Sequence, residues 1–357
     1  MMKDVEPVIG LEVHLQLKTN TKLFCGCPVS FAASPNTLAC PVCLGLPGSL
    51  PVVNQRAVEL SLKLALALKC NVNRLSSFDR KNYFYPDLPK GYQITQHYTP
   101  IASDGFIEIN SSGNRTKKVR VLRLHLEEDA GKIIYAEKTG YVLVDFNRCG
   151  VPLVELVSAT DISSPQEAYD YLVEVRRIAR YLEISDADME KGQLRCDVNI
   201  SLRPKGGSSF GTRTEIKNLN SFAAVRDALE AEIERQKEIL FSGGRIEQET
   251  LYYDAESGKL FVQRSKEESH DYRYFPEPDL PPLFVSDEML KKASFEVVEL
   301  PMERERRLMK QYGLPPQKVA VLCSRKALAD YFEECVKEPS PQLLADWLIT
   351  ETLRVVN

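Results

Sequence analysis

The sequence predicts an α+β fold, with an antiparallel-sheet-rich domain and flanking helices over residues 1–292 and an all-α helical domain beginning at 293–357. Three observations carry this. Period-two alternation of apolar and polar residues recurs through the first part. Capped amphipathic runs separate the alternating segments. From Glu303 onward the pattern is helical to the end.

Residues 8–17, VIGLEVHLQL, alternate with Leu11, Val13, Leu15 and Leu17 on one face and Glu12, His14 and Gln16 on the other. Residues 54–69 read as a helix with Asn54 as N-cap. Residues 120–128 and 141–157 are strand-like. Ser164, Pro165 and Glu167 open a second helix as a capping box, and AYDYLVEVRRIARYLEI supplies its period. LRCDVNISL (194–202) returns to alternation. Residues 221–241 form a helix closed by Gly243 and Gly244. The last segment, LADWLITETLRVV, is amphipathic and stops without a capping signal, so the helical domain is expected to be truncated.

Hydrophobic residues make up 43% and charged residues 27%, the composition of a soluble globular protein. A formal net charge of −4 argues against a general duplex-binding protein and leaves room only for a locally basic face. The N-terminus has no basic segment followed by an apolar run, and no stretch is long and apolar enough to span a membrane. The nine cysteines, an odd and mostly scattered set, read as reduced thiols of a cytoplasmic protein.

Chemistry concentrates on the polar faces of apolar strands. Glu12 and His14 are two apart and share a face, roughly 7 Å apart along the strand. In VLRLHLEEDAGK, Arg123, His125 and Glu127 oppose Leu122, Leu124 and Leu126, and Glu128 and Asp129 follow. Asp145 lies in VLVDFNR, Glu155 within VPLVELV, and Asp197 in LRCDVNISL beside Arg195 and Asn199. A carboxylate amid apolar residues, as at Glu155, is costly to bury unless it is paired or binds a metal. Acidic groups with a single imidazole suit magnesium rather than tetrahedral zinc. No Walker or GxGxxG phosphate loop is present. A chain of this kind that uses ATP must hold the triphosphate with carboxylates, metal and basic groups, for which Arg80, Lys81, Arg148 and Lys217 are candidates.

Cys25 and Cys27, then Cys40 and Cys43, form two close pairs within residues 25–43, a spacing that can close a structural zinc site. GGSSFG (206–211) has the look of an amidase nucleophile loop but lies between strand-like segments and reads as a turn.

VIGLEVHLQL (8–17), SFDRKNYFYPDLPKGYQITQ (77–96), RLHLEEDAGK (123–132), VDFNRCGVPLVELVS (144–158), LRCDVNISL (194–202), EIKNLNSF (215–222) and DYRYFPEPDLPPL (271–283) together resemble the B subunit of the bacterial aspartyl/glutamyl-tRNA(Asn/Gln) amidotransferases. The resemblance runs from about residue 5 to the end. It implies a cradle-like catalytic domain, a helical domain and a tRNA-gripping tail domain, the last expected to be absent from this chain. It implies as partners an amidase, the A subunit, and a small C subunit, with misacylated tRNA(Gln) or tRNA(Asn) as substrate. It implies ATP- and magnesium-dependent phosphorylation of the side-chain carboxylate, then amidation by ammonia from the amidase. Carried over, the magnesium site comprises Glu12, His14, Glu127, Glu128, Glu155 and Asp197. Tyr83, Tyr85, Tyr272 and Tyr274 offer stacking faces for unpaired 3′ bases. Two rival readings are a non-catalytic scaffold that presents tRNA, and a magnesium-dependent nuclease.

Overall fold

A computed structural model describes residues 4–111, 115–136, 140–265, 271–336 and 340–356. The strands are β1 (Val5–Gln16), β2 (Asn71–Val72), β3 (Leu75–Ser76), β4 (Asp79–Asn82), β5 (Tyr92–Thr95), β6 (Ala102–Ser111), β7 (Arg115–Glu128), β8 (Lys132–Ala136), β9 (Tyr141–Asp145) and β10 (Pro152–Ser158). Then come β11 (Leu194–Pro204), β12 (Thr214–Lys217), β13 (Glu249–Asp254), β14 (Lys259–Ser265), β15 (Phe275–Pro276) and β16 (Leu283–Phe284). Twelve of these, among the described residues, form one sheet in the order β14-β13-β12-β11-β1-β10-β7-β5-β4-β15, with β6 also on β7 and β2 on β6. Among the described residues only the β12–β13 pairing is parallel. The fold is α+β, as the alternation predicts.

On β1, Leu11, Val13 and Leu15 are buried while Glu12, His14 and Gln16 face away from the core. The apolar face is covered by helices α1 (Gln55–Ala67), α2 (Pro165–Tyr181) and α3 (Phe222–Phe241), which share one core with the strands. Their starts are fixed by side chains. Asn54 accepts from the Ala57 amide at 3.2 Å, Ser164 from Glu167 at 3.2 Å and Ser221 from Ala224 at 3.0 Å, each worth about 1 kcal/mol.

The stretch 141–157 is not one strand. A turn after Asp145 ends β9, which pairs only with β8 in a separate two-stranded ribbon, while β10 enters the main sheet between β1 and β7. The turn closes at Gly150, whose φ of 87° is left-handed and favours glycine. Asp145 is thereby carried away from the polar face, and its Oδ1 accepts from the Asn36 and Asn147 amides at 3.0 Å each.

Helix α4 (Asp287–Glu296) packs through Ala293 and Leu290 on the first core. Helices α5 (Pro301–Tyr312), α6 (Pro316–Leu322), α7 (Lys326–Cys335), α8 (Pro341–Trp347) and α9 (Leu353–Val356) gather a second core around Leu308, Leu322, Phe332 and Leu348. Among the described residues no helix is long and apolar enough to cross a membrane. The second core is tied to α2: Tyr181 donates its hydroxyl to the Cys323 carbonyl at 2.8 Å, and Arg177 pairs with Glu305.

Glu174 sits in this junction, 5% exposed. Burial drives its carboxyl up to about 7, because Arg177, its partner at 2.8 Å, is shared with Glu305. A folded-state pKa above the ordinary carboxylate value means that folding takes up a proton. That stabilisation is complete below about pH 4.5 and is lost as pH rises through about 7. Glu174→Gln is therefore expected to flatten the pH dependence of thermal unfolding and to gain on wild type, by about 3 kcal/mol at most, between about pH 5 and pH 8. Parallel melting curves for the two proteins across that range would contradict this.

Candidate functional site

The polar face of the central strands lines a cavity of about 380 Å³ bordered by Glu12, His14, Lys81, Thr95, Arg123, His125, Glu127, Asp129, Glu155, Arg195, Asp197, Lys217 and Tyr274. Antiparallel register brings them together. Across β11, β1, β10 and β7, Arg195, His14, Glu155 and His125 lie side by side in one row. In the next row Asp197 stands opposite Glu12. Directly opposed residues of this kind are close enough for their side chains to meet.

At the centre, His14 Nε2 is 3.1 Å from Glu127 and 3.3 Å from Glu155, while His125 Nε2 is 3.0 Å from Glu155 and 3.6 Å from Glu127. Burial pulls the His14 imidazole down, but the Glu155 carboxylate and contact with Glu127 overcome it and raise it to about 10. Burial likewise pushes both carboxyls up. Hydrogen bonds from the two imidazoles at Glu127, and their charges followed by their hydrogen bonds at Glu155, win, and both carboxyls are held well below the usual carboxylate range. Ligand atoms of His14, Glu127 and Glu155 lie within 4.8 Å of one another, close enough to share one cation. Glu12, on the rim, has its carboxyl raised by burial and by the charges of Glu155 and Asp197, and it accepts from Asn199 Nδ2 at 3.0 Å. Such mutual repulsion among carboxylates is relieved by a cation.

Five of the six residues expected for the acidic site line this cavity; Glu128 does not. It follows Glu127 on β7, and the pleat turns it to the opposite face, where it pairs with Lys90 and accepts from the Ile94 amide at 2.9 Å. Among the basic candidates, Lys81 and Lys217 line the cavity. Lys217 binds Asp197 at 2.9 Å and Glu215 at 3.1 Å. Lys81 has no carboxylate within 4.0 Å among the described residues and lies 4.8 Å from the Tyr272 ring centre. Burial lowers its pKa, but the Glu127 charge prevails and raises it, so the ammonium stays charged.

Arg80 and Arg148 of the expected set do not line the cavity. Arg80, on the other face of β4, grips Glu277 through two bonds of 2.7 and 2.9 Å and stacks on Tyr92, locking β15 to β4. Arg148 donates to the Ala130 carbonyl at 3.0 Å and the Gly131 carbonyl at 2.5 Å, fixing the turn after Asp129. Tyr274 lies in the acidic cavity, stacked on His97 at 3.7 Å. Tyr83 borders both that cavity and an adjoining aromatic pocket of about 1080 Å³, which Phe84, Tyr85 and Tyr272 also line. Of the titratable residues lining the cavity, His97, Arg123, His125, Asp129 and Arg195 lie outside the expected set. His125 and Arg195 share the alternating faces of Glu127 and Asp197, where period two places them, though without a role. Asp129, which binds Arg195 at 2.8 Å, sits just past the end of β7, where alternation stops.

Behind β7, the Sγ atoms of Cys25, Cys27, Cys40 and Cys43 all lie within 4.8 Å of one another. Tetrahedral coordination at about 2.3 Å per sulfur fits that spread. Hydrogen bonding from Cys25, followed by the Cys40 amide and the nearby Lys22 ammonium, holds the Cys43 thiol down to about 4 against its burial. The fully buried Lys22 reaches Cys43 Sγ at 3.6 Å and the Leu38 carbonyl at 2.7 Å. Gly45, with φ of 65°, lets the loop pass against Lys90; a Cβ there would come within 2.3 Å of the lysine Cγ. A cavity of about 60 Å³ between the loop and β7 is lined by Cys25, Cys43, Lys90 and Glu128. The side chains of Lys90 and Glu128 are 5% and 2% exposed. Lys90→Met is expected to leave Glu128 as a buried unpaired charge and to cost about 3–5 kcal/mol in denaturant unfolding. A loss below about 1 kcal/mol would show that the pair does not hold the loop to the strand.

A model of the GatB/GatE catalytic domain matches residues 7–291. The chain is 53% identical over 360 residues to a protein of Carboxydothermus hydrogenoformans named as the B subunit of aspartyl/glutamyl-tRNA(Asn/Gln) amidotransferase, covering 100% of this chain and 75% of that one. Proteins of the same name from Thermodesulfovibrio yellowstonii and Brevibacillus brevis are 52% and 50% identical over 353 and 357 residues, covering 99% and 100% of this chain and 74% of each relative. Every residue that lines the acidic cavity falls inside the matched span, and the chain belongs to the GatB/GatE catalytic domain family.

Proposed function

We propose that this chain phosphorylates, with ATP, the side-chain carboxylate of glutamate on tRNA(Gln) or aspartate on tRNA(Asn), after which ammonia replaces the phosphate to give Gln-tRNA(Gln) or Asn-tRNA(Asn). The observation that carries this reading is the convergence of Glu12, His14, Glu127, Glu155 and Asp197, from the four adjacent strands β11, β1, β10 and β7, on one cavity. The relatives' names supply the acceptor class and, in designating a B subunit, a multi-subunit enzyme. The resemblance of the sequence motifs adds an amidase A subunit and a small C subunit as the expected partners, and the scattered cysteines read as reduced thiols favour the cytoplasm as the site of action.

A free carboxylate resists ammonia because oxide is a poor leaving group. In the first step a carboxylate oxygen bonds to the γ-phosphorus and the bond to the β-phosphate oxygen breaks, releasing ADP. In the second, the ammonia nitrogen bonds to the acyl carbon, the bond to the phosphate oxygen breaks and phosphate leaves, and the nitrogen gives up one proton, to solvent or phosphate, to form the amide. Phosphoryl transfer of this kind depends on positioning and charge neutralisation. The donor set fits magnesium, being oxygen-rich with one imidazole and compact. Magnesium bound by His14, Glu127 and Glu155, with Glu12 and Asp197 on the rim, would offset the charge of the phosphates. Lys81, which has no carboxylate partner among the described residues, is the best-placed cation of this chain to meet the transferring phosphoryl group. Lys217, already shared between Asp197 and Glu215, is less free to do so. Tyr83, Tyr85, Tyr272 and Tyr274 give stacking faces beside the cavity for the unpaired 3′ end of the tRNA. The four-cysteine loop is proposed to hold a structural zinc ion, with no part in the chemistry.

Glu155→Gln and Glu127→Ala are each expected to lower tRNA-dependent ATP cleavage by about 100-fold or more, measured with each misacylated tRNA and the amidase partner; an unchanged rate would favour a tRNA-presenting scaffold. Incubation with tRNA and magnesium but no ATP should leave the tRNA intact, and its cleavage would instead indicate a nuclease. Elemental analysis should find one zinc per chain that Cys43→Ser removes; a metal-free wild-type protein of full stability would end the zinc assignment.

A further inference from the structure

Glu155 is one of the buried carboxylates of the cavity. It is 8% exposed, sits on β10 among Leu153, Val154, Leu156 and Val157, and has an imidazole on either side of it. His14 approaches from β1 and His125 from β7, both directly opposite Glu155 in register. The two imidazoles are not equivalent. His14 is the more open, its side chain 18% exposed against 8% for His125. It reaches Glu127 and Glu155 at nearly equal distance, and its Nε2 belongs to the compact group of ligand atoms that includes both carboxylates. His125 directs its Nε2 at 3.0 Å to Glu155, with Glu127 farther off at 3.6 Å, and its other ring nitrogen, Nδ1, is buried without a partner among the described residues.

We propose that His125 is a positioning residue of the acidic site: through its Nε2–H it fixes the Glu155 carboxylate so that the other oxygen lone pairs face the cation and His14. The chemistry of the contact is specific. A carboxylate is symmetric about its bond to the chain and swings between orientations unless a donor holds it. No backbone amide holds Glu155, since strand amides point along the sheet. His125 reaches Glu155 from β7, across the strand from His14 on β1, so its bond leaves the remaining lone pairs of the carboxylate open. An Nε2 occupied in this way does not bind a metal, and the partnerless Nδ1 is enclosed. His125 therefore acts through Glu155. Outer groups that orient a metal ligand in this manner change affinity by roughly 10- to 100-fold when removed.

The inference rests on the proposal that the acidic cavity holds a divalent cation. The test uses Mn²⁺ as probe, with its affinity for the full chain measured by electron paramagnetic resonance. His125→Gln carries an amide nitrogen to about the place of Nε2. His125→Asn places its amide near Nδ1 and falls short of Glu155. The expected result is that Asn weakens Mn²⁺ binding by roughly 10- to 100-fold while Gln stays within about three-fold of wild type, with the rate of tRNA-dependent ATP cleavage following the same order. A purely structural role would move the melting temperature of both variants without separating them in affinity. Equal affinity in Asn, Gln and wild type overturns the inference, and so does a Gln variant as weak as Asn. Should the Asn variant fail to fold, a ten-fold loss in the Gln variant suffices to overturn it. Wild-type protein whose Mn²⁺ binding is indifferent to Glu155→Gln would bring down the cation site itself, an outcome separate from any difference between the two His125 variants.

Discussion

The buried negative charge of Glu155 is the constraint around which the sheet is organised. A carboxylate set among leucines and valines is unfavourable by several kcal/mol unless it is paired. The pairing comes from two neighbouring strands at once, His14 on β1 and His125 on β7. That requires β10 to lie between β1 and β7, antiparallel to both and in one register. A slip of one residue would turn Glu155 into the apolar core and leave both imidazoles without it. The site and the core thus depend on the same alignment: Leu11, Val13, Leu124 and Leu156 are buried on one face because their neighbours in sequence are held together on the other.

Charge is balanced around the cavity rather than summed to zero within it. Glu127 and Glu155 share two imidazoles, Asp197 has Lys217, and Asp129 has Arg195. Glu12 lacks a cationic partner among the described residues and has only the Asn199 amide. Its raised pKa is the signature of burial together with crowding by Glu155 and Asp197. Lys81 is the converse, a cation cushioned by the faces of Tyr272 and Tyr83. An excess carboxylate and an uncommitted ammonium thus face the same space.

The pleat of β7 separates two functions that adjoin in sequence. Glu127 enters the cavity, whereas Glu128 turns to the four-cysteine loop through Lys90. The loop lies against the back of the strand that carries the acidic site, held by Lys22 to Cys43 and by the close passage of Gly45 over Lys90. Whatever stiffens the loop also stiffens the strand, because few atoms separate them: the cavity left between is about 60 Å³.

Period two made much of this legible from the sequence. Alternation alone put Glu12, His14, Glu127, Glu155 and Asp197 on polar faces, since each residue along a strand must point opposite to the next. The caps at Asn54 and Ser164 were equally plain, because an N-cap is a local bond within three or four residues. Which strands lie side by side is a long-range fact, and only the tertiary structure decided it. It divided 141–157 into a ribbon and a central strand and so removed Asp145. It also committed Arg80 to Glu277 and Arg148 to backbone carbonyls, although neither partner is near in sequence. Local sequence specifies the direction in which a side chain points, whereas register and strand order specify what it meets there.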